Sequence, residues 1–381
     1  MLVSRSPENN HMMQFILFGV SIIILLSGHA LLWAILVRLF NLVSGPAQLS
    51  VALVIVALLL STILSSYLIH KWDNPFTRGY YMFAGFWVGL FVNIILVSAS
   101  IFLIKFAADL MGLSIPVAVI RISFIALSLL ISLVGVYRAV VPHVVTYDVS
   151  IKDLPDEWNN KAIVQISDVH LGPVYRQRFF YRLIAQINEL KPEAVFITGD
   201  LFDGMESDFA WLNHPLNRLD APKGVYYGFG NHDLYLGFDR VVNLLKGNRV
   251  TILDNRLEIV DGLQIIGINY SFDNDFNLEK AILAQSGYSE AKPSILLFHA
   301  PKNVALAESA GIDLQLSGHT HDGQIWPFNF IAKWAHQGHG YGLFTEGDFN
   351  LIVNGGAGSW GPPMRTAARS EIVKIILHQK N

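Results

Sequence analysis

Long runs without a charged residue constrain this chain more than any other feature of its sequence. Asp, Glu, Lys and Arg are absent from residues 12–37, 49–69 and 80–104, and a fourth run at about 117–137 contains only Arg121. About 20 consecutive apolar residues are enough for a helix to cross the hydrocarbon core of a bilayer. The sequence therefore predicts a transmembrane domain with four helices in residues 1–141. The first run is too long to be a removed signal peptide, and it lacks a convincing cleavage site.

The charge of the chain is divided between two unlike parts. Hydrophobic residues make up 52% of the chain and charged residues 15%, which is too apolar for an ordinary soluble protein. The part before Val140 has seven basic and three acidic residues, a net charge of +4, and the remainder has 20 basic and 27 acidic residues, a net charge of −7. A net negative domain without a basic stripe argues against strong binding of nucleic acid. We therefore expect no nucleic-acid partner for the second domain, residues 142–381.

Basic residues near the helix ends favour one orientation in the membrane. With four helices, both termini lie on the same side of the bilayer. That side carries four basic residues and the opposite side two: Arg5, Lys71, Arg78 and Arg138 against Arg38 and Lys105. Cytoplasmic loops are enriched in Lys and Arg. The sequence predicts an integral multi-pass membrane protein with a cytoplasmic second domain.

Beyond Pro142 the pattern changes to apolar strands and amphipathic helices. Strands are predicted at 144–150, 162–167, 194–198, 224–229, 294–298 and 312–316, and near residues 250, 257, 265, 351 and 372. Helices are predicted at 176–190, within 207–219, near 238–245 and at 303–309. Early alternation of strands with helices, followed by hairpins, predicts a mixed sheet or a two-sheet sandwich flanked by helices.

Five of these strands end in residues that can ligate metal ions. These residues are Asp168, His170, Asp200, Asn231, His232, His299, His319 and His321. Each has an ordinary alternative, because an Asp after a strand can cap a helix and a Gly-Asn pair can form a turn. Five strand ends that all use such ligands are hard to explain as turns alone. The chain has no Cys, so a metal site must use His, Asp, Glu or Asn.

In chain order these motifs read D-x-H, G-D-x-x-D, G-N-H-D, H and G-H-x-H, between Asp168 and His321. This set resembles the calcineurin-like metallophosphoesterase superfamily, and the stretches at 318–327 and 358–365 resemble its membrane-bound branch. The resemblance implies an α+β chain in which the transmembrane domain is followed by a metallophosphoesterase αββα sandwich. Such a sandwich has two mixed β-sheets flanked by helices.

The resemblance also implies two divalent metal ions, for which mixed nitrogen and oxygen ligands suit Mn²⁺, Fe or Zn²⁺. One ion would be held by Asp168, His170, Asp200 and His321. The other would be held by Asp200, Asn231, His299 and His319. Two ions roughly 3.5–4 Å apart can hold a bridging hydroxide and clamp an in-line phosphoryl displacement. No phosphoenzyme is then expected.

Three further residues receive roles from this resemblance. His232 follows a ligand directly and is the expected general acid. Asp203 is the expected partner that orients its ring, and Asp233 is the alternative. Arg365 is a candidate contact for a substrate phosphate, with a structural salt bridge as the alternative.

The predicted membrane helices indicate the lipid bilayer as a partner and suggest the substrate. A site near the bilayer would meet lipid headgroups and lipid-linked pyrophosphates, so we expect hydrolysis of a phosphodiester, phosphomonoester or pyrophosphate bond in such a molecule. The apolar stretch at 325–331 could accept acyl chains, touch the membrane surface or pack in the ordinary way. A nuclease or nucleotide phosphodiesterase, and a non-catalytic membrane sensor or scaffold, are the alternatives. The sequence does not specify an oligomeric state.

Overall fold

The computed structural model of the chain describes residues 7–205, 207–272 and 276–380, so Arg5, used above for the orientation, lies outside them. The described chain divides into two compact units. The first contains the chain up to Tyr67 and Phe83–Ser132, and the second contains Leu68–Met82 and everything from Leu133 onward. The ends of three apolar helices thus belong to the same unit as the predicted catalytic domain.

The first unit is helical. Its helices are α1 (Pro7–Leu39), α2 (Gly45–Lys71), α3 (Pro75–Leu110) and α4 (Val117–Val140), of which the last three extend into the second unit. All four are long and apolar enough to cross a membrane. Leu32, Trp87 and Phe91 are buried between helices. His29 packs here too: its ring stacks on Phe91 at 4.1 Å and its Nδ1 lies 2.8 Å from the carbonyl oxygen of Leu25.

Two six-stranded mixed sheets form the centre of the second unit. The strands are β1 (His143–Lys152), β2 (Lys161–Ile166), β3 (Ala194–Thr198), β4 (Val225–Gly228), β5 (Thr251–Ile252), β6 (Leu257–Val260), β7 (Leu263–Ile268), β8 (Ser294–Phe298), β9 (Leu314–Ser317), β10 (Gly342–Glu346), β11 (Phe349–Val353) and β12 (Glu371–Lys380). The first sheet has the order β1–β12–β2–β3–β4–β5, and the second has the order β10–β11–β9–β8–β7–β6. Strands β2, β3 and β4 run parallel to one another, as do β7, β8 and β9.

Helices cover the outer faces of both sheets. They are α5 (Gln177–Glu189), α6 (Asn213–Leu216), α7 (Asn231–Leu236), α8 (Phe238–Leu245), α9 (Phe276–Gln285) and α10 (Val304–Ser309). A further helix, α11 (Phe328–Ala335), has no buried residue and is not part of this covering layer. Phe180 and Ile184 of α5 join one apolar cluster with the first sheet, and Ala307 of α10 joins another with the second sheet. Between the sheets, Phe196 and Leu297 are fully buried in a third cluster. The predicted αββα sandwich is confirmed.

The sandwich places the predicted ligands at one edge. Residues 168–170, 200 and 231 follow β2, β3 and β4 of the first sheet, whereas residues 299 and 319–321 follow β8 and β9 of the second. In open α/β sheets, sites form beyond the carboxyl ends of parallel strands. Both sheets therefore deliver polar residues to the same end of the sandwich.

Candidate metal centre

Histidine and aspartate side chains from both sheets meet at this edge. Ligand-type atoms of Asp168, His170 and His321 all lie within 4.8 Å of one another. The same limit holds for Asp200, His299 and His319, and for a third group of His170, Asp200 and His232. The first two groups contain members of the two ligand sets expected from the sequence.

The ring nitrogens point at one another and at the carboxylates. His321 Nε2 lies 3.2 Å from Asp168 Oδ1 and 3.1 Å from His170 Nε2. His299 Nε2 lies 3.2 Å from Asp200 Oδ2. His170 Nε2 lies between the two carboxylates, 3.9 Å from Asp168 and 4.0 Å from Asp200. Five possible ligand atoms thus lie close together in one small volume.

Several atoms of the candidate ligands are buried and make no hydrogen bond of regular geometry in the described part of the chain. They include Asp168 Oδ1 and His299 Nε2, whose ionic neighbours His321 and Asp200 lie at 3.2 Å, and Asn231 Oδ1. The other atoms of these side chains are engaged: Asp168 Oδ2 accepts the N–H of His319 at 2.9 Å, and His299 Nδ1 faces the Thr198 carbonyl at 2.7 Å. A buried polar atom without a partner costs about 1–3 kcal/mol. A divalent cation would satisfy these oxygen and nitrogen donors together, so the residues fit the two divalent ions that the resemblance implies.

His321 is held by Arg365, which is fully buried. Arg365 Nη2 donates to His321 Nδ1 at 2.9 Å, and its Nε donates to the Gly358 carbonyl at 2.7 Å. A guanidinium has no acceptor, so the Nδ1 lone pair faces Arg365 and the proton of a neutral ring is on Nε2. Metal ligation through Nε2 would require that proton to leave, or Arg365 to withdraw. Because Arg365 is fully buried and bonded to His321, its side chain has no exposed surface with which to contact a substrate phosphate.

The backbone of the cluster is held in an uncommon conformation. The φ angles of Asp168, His170, Asp200, His319 and His321 are 51°, 51°, 50°, 72° and 50°. Residues other than glycine rarely occupy this left-handed region, and such strain concentrates at functional sites. Two glycines allow the close approach: a Cβ on Gly230 would lie 2.1 Å from Asp200 Oδ1, and one on Gly318 would lie 2.3 Å from Asp168 Oδ2.

Burial and charge set the protonation of the cluster. Burial lowers the pKa of His319 to about 3 and that of His321 to about 4, which keeps both rings neutral near pH 7. Burial alone would lower the pKa of His299, but Asp200 raises it to about 9. Burial alone would raise the pKa of Asp200, but His299 and His170 lower it to about 2. A cation entering the cluster would displace the His299 proton, because metal ligands must be deprotonated.

His232 lies at the rim of the cluster, and its ring is oriented differently from the expectation. Its Nδ1 lies 2.9 Å from the backbone carbonyl oxygen of Asp203, which can only accept. The Asp203 carboxylate instead lies 3.4 Å from His170 Nδ1, and burial raises its pKa to about 7. Asp233, the alternative, accepts the backbone N–H groups of Asp200, Phe202 and Gly230, so it braces the loops. The main chain of Asp203 therefore positions His232.

Aromatic residues that received no role from the sequence also border the cluster. The ring of Trp360 lies 5.5 Å from that of His232, and the ring of Tyr270 lies 5.5 Å from that of His319. The ring of His336 lies 5.8 Å from that of His319. Of these three residues, only Trp360 could have been found from the sequence, because it belongs to the stretch at 358–365 that carried the resemblance.

The sequence comparisons give the class of protein to which this sandwich and its cluster of possible metal ligands belong, the metallophosphoesterases. The profile of the calcineurin-like phosphoesterase family matches residues 161–323. A metallophosphoesterase of Campylobacter jejuni, itself uncharacterized, is 36% identical over 267 residues, which are 69% of this chain and 70% of that protein. The chain belongs to the calcineurin-like phosphoesterase family.

Relatives with transmembrane helices are also similar. The transmembrane protein with metallophosphoesterase domain of Danio rerio is 32% identical over 257 residues, which are 62% of this chain and 58% of that protein. This chain spans about 60% of the length of most of the curated relatives that it matches best. A solved dimetal phosphatase from Danio rerio aligns over 52% of this chain and 88% of its own, with 14% identity and a TM-score of 0.32.

Proposed function

We propose that the chain is a membrane-anchored phosphoesterase that uses two divalent metal ions to hydrolyse a lipid or lipid-linked phosphoester or pyrophosphate. The observation that supports it most directly is the set of buried atoms without a hydrogen bond of regular geometry, Asp168 Oδ1, Asn231 Oδ1 and His299 Nε2, at strand ends from both sheets. Family membership supplies the class of reaction.

Two overlapping sets of side chains would hold the ions. The first consists of Asp168, His170, Asp200 and His321, and the second of Asp200, Asn231, His299 and His319. The Asp200 carboxylate belongs to both sets, because a carboxylate has two oxygens with which to bridge. When bound, two divalent ions supply Lewis acidity toward the phosphoryl oxygens and the attacking water.

His232 is the proposed general acid for the leaving oxygen. Its Nδ1–H is donated to the Asp203 carbonyl, so Nε2 is the atom available to a substrate. The side chain is half-buried, whereas Asp168 and Asp200 beneath it are almost fully buried. The ring of Trp360 lies 5.5 Å from that of His232 in a T-shaped arrangement.

The helices support a membrane location for the site. α2, α3 and α4 each reach into the compact unit that carries the metal centre, through Leu68–Met82 and Leu133–Val140. We propose that all four apolar helices cross the membrane and that the metal centre lies on the cytoplasmic side, with residues 142–381 as the catalytic domain. A substrate anchored in the bilayer would then reach the centre by lateral diffusion.

The test uses purified full-length protein in detergent with Mn²⁺. Four substrates are compared: an aryl phosphodiester, an aryl phosphomonoester, farnesyl pyrophosphate and inorganic pyrophosphate. The last two share the pyrophosphate bond, but only farnesyl pyrophosphate carries an apolar chain. Metal-dependent turnover that Asp200→Asn abolishes is the expected result, and preference for farnesyl pyrophosphate over inorganic pyrophosphate supports the lipid substrate. Asp313→Asn is the matched control, because Asp313 is bonded to Ser294 at the start of β8, at the opposite end from the site. If the wild-type protein binds metal but hydrolyses none of the four compounds, the proposal is overturned and the alternative of a non-catalytic membrane sensor is favoured.

A further inference from the structure

Helix α11 exposes large apolar side chains beside the metal centre. Within the helix, Phe330 is 62% exposed, Ile331 57% and Trp334 82%, and Trp326, two residues before the helix, is 49% exposed. None of the eight residues of α11 is buried. A short helix without a buried face lacks the packing that normally stabilises helices in water. Clustered exposed apolar residues of this kind indicate a surface that another apolar body covers.

The segment that carries this helix is fixed to the metal centre at both ends. We call residues 322–340 the α11 loop; it begins directly after His321. Thr320 Oγ donates to the Gly340 carbonyl at 2.6 Å, which closes the loop at its base. The ring of His336, just beyond α11, lies 5.8 Å from that of His319. The exposed apolar residues therefore have a defined position next to the candidate ligands.

The α11 loop is also joined to the end of an apolar helix within the same compact unit. The N–H of Trp326 donates to Thr366 Oγ at 3.0 Å, and the adjacent N–H of Arg365 donates to the Gly135 carbonyl of α4 at 2.9 Å. α4 ends a few residues later with Tyr137 and Arg138, residue types that concentrate where a membrane helix leaves the bilayer. Arg138 itself donates to the Thr366 carbonyl at 3.2 Å. These bonds place the start of the α11 loop at the level where α4 would leave the hydrocarbon.

The composition of the loop suits a lipid surface. Asp322, the first residue of the α11 loop, is its only acidic residue, and Lys333, His336 and His339 follow it. Helices that lie in the membrane interface combine Trp, Phe and Leu or Ile with basic residues. Such a segment would be attracted to anionic lipid headgroups and not repelled by them.

We propose that the α11 loop lies in the interfacial layer of the lipid bilayer, with Phe330, Ile331 and Trp334 inserted below the headgroups. The occupant of this surface is the bilayer itself. The position of the α11 loop in the bilayer does not depend on turnover, but its role in substrate access rests on the proposed function. With α11 inserted, the His319 and His321 side of the metal centre is held at the level of lipid phosphates.

The absence of Cys from the chain permits a direct test. Trp334→Cys and, in a second protein, Phe330→Cys are spin-labelled in full-length protein in lipid nanodiscs of phosphatidylcholine with phosphatidylglycerol. Ile259→Cys is the matched control: Ile259 is 56% exposed and pairs with Gln264 at the start of β7, the end of that strand remote from the metal centre. Collision rates with oxygen and with a water-soluble nickel chelate report the depth of each label.

The expected result is a depth of about 5–10 Å below the phosphates for the labels at positions 330 and 334, and full accessibility to the nickel chelate at position 259. Nickel accessibility at 330 and 334 equal to that at 259 would overturn the proposal. So would spin–spin broadening at 334 that is unchanged by lipid, because it would assign the surface to a second copy of the chain. Because the measurement needs no hydrolysis, its failure is distinguishable from failure of the phosphoesterase activity.

Discussion

Arg365 connects a candidate metal ligand to an apolar helix. Its side chain donates to Nδ1 of His321 at 2.9 Å, while its own backbone N–H donates to the Gly135 carbonyl of α4. Gly135 leaves room for this contact, since a Cβ there would lie 2.6 Å from Met364 Cγ. The position of α4 therefore bears directly on the orientation of one ligand ring.

Arg365→Met should strengthen metal binding. The guanidinium that donates to Nδ1 keeps the proton of a neutral His321 ring on Nε2, so its removal lets that proton move to Nδ1 and frees Nε2 for a metal ion. Titration of Mn²⁺ into the full-length protein by calorimetry measures the change. Arg369→Met is the control, because Arg369 also bonds to the end of α4, at the Val141 carbonyl, but does not touch a ligand. Equal affinity in both variants and the wild type would show that Arg365 serves the fold alone.

His232→Asn should abolish turnover but keep both ions. Loss of a general acid lowers the rate by roughly 10²–10⁴-fold, whereas the ligand sets do not include this residue. Metal content by mass spectrometry and hydrolysis rate are measured on the same preparation, beside His214→Asn at an exposed position bonded to Tyr181. Because His232 also forms a possible metal-binding group with His170 and Asp200, a fall in metal content would identify it as a ligand.

Asp203→Ala should weaken metal binding but retain most of the turnover at full metal occupancy. The bond to His232 comes from the Asp203 backbone, which the substitution retains. The lost carboxylate lies beside His170 Nδ1, so the expected effect is weaker metal binding by about 10–100-fold. Mn²⁺ affinity and the rate at saturating Mn²⁺ are measured for the variant and the wild type. A rate at full metal occupancy that falls as far as that of His232→Asn would contradict this assignment.

Gly230→Ala should disrupt the site, whereas Gly228→Ala should not. The added methyl at position 230 would meet Asp200 Oδ1 at 2.1 Å, a clash that costs at least about 1–3 kcal/mol when the neighbours shift. At position 228 the nearest atom, Leu297 Cβ, lies at 3.4 Å, which is ordinary contact. Thermal unfolding and Mn²⁺ content are the readouts. Normal metal content in the Gly230 variant would show that the loop has room that the structure does not display.

Asp313→Asn should remove one component of the pH dependence of stability. Burial raises the pKa of Asp313 from its usual value of 3.8 to about 6. Between these values the folded state binds more protons than the unfolded state, so the contribution of this group to the unfolding free energy falls as pH rises. The variant should therefore gain thermal stability relative to the wild type between pH 4 and pH 7, measured on full-length protein in detergent. A constant difference across that range would contradict the raised pKa.

The sequence predicted best those elements whose pattern is local. The strands β3 and β8 were predicted at their observed bounds, because each is a short apolar run bounded by polar residues. α7 was not predicted, since its first residues, Asn231 and His232, have the composition of a turn. β10 was not predicted either, because its exposed residues carry no alternating pattern.

The chemical roles that depend on distant contacts could not be predicted from the sequence. Arg365 and His321 are 44 residues apart, and nothing in either segment indicates that one holds the other. The orientation of His232 depends on a backbone carbonyl, which every residue possesses. Motifs therefore predicted which side chains gather at the edge of the sandwich, but the donor and acceptor for each required the structure.

The left-handed backbone of Asp168, His170, Asp200, His319 and His321 has a consequence for folding. Each such residue costs of order 1–3 kcal/mol, and buried donors without a regular hydrogen bond add to that cost. Ions that satisfy those donors would offset this energy only in the folded chain. The metals of this centre would thus be structural components as well as reagents, and a chelator would act on the protein as a mild denaturant.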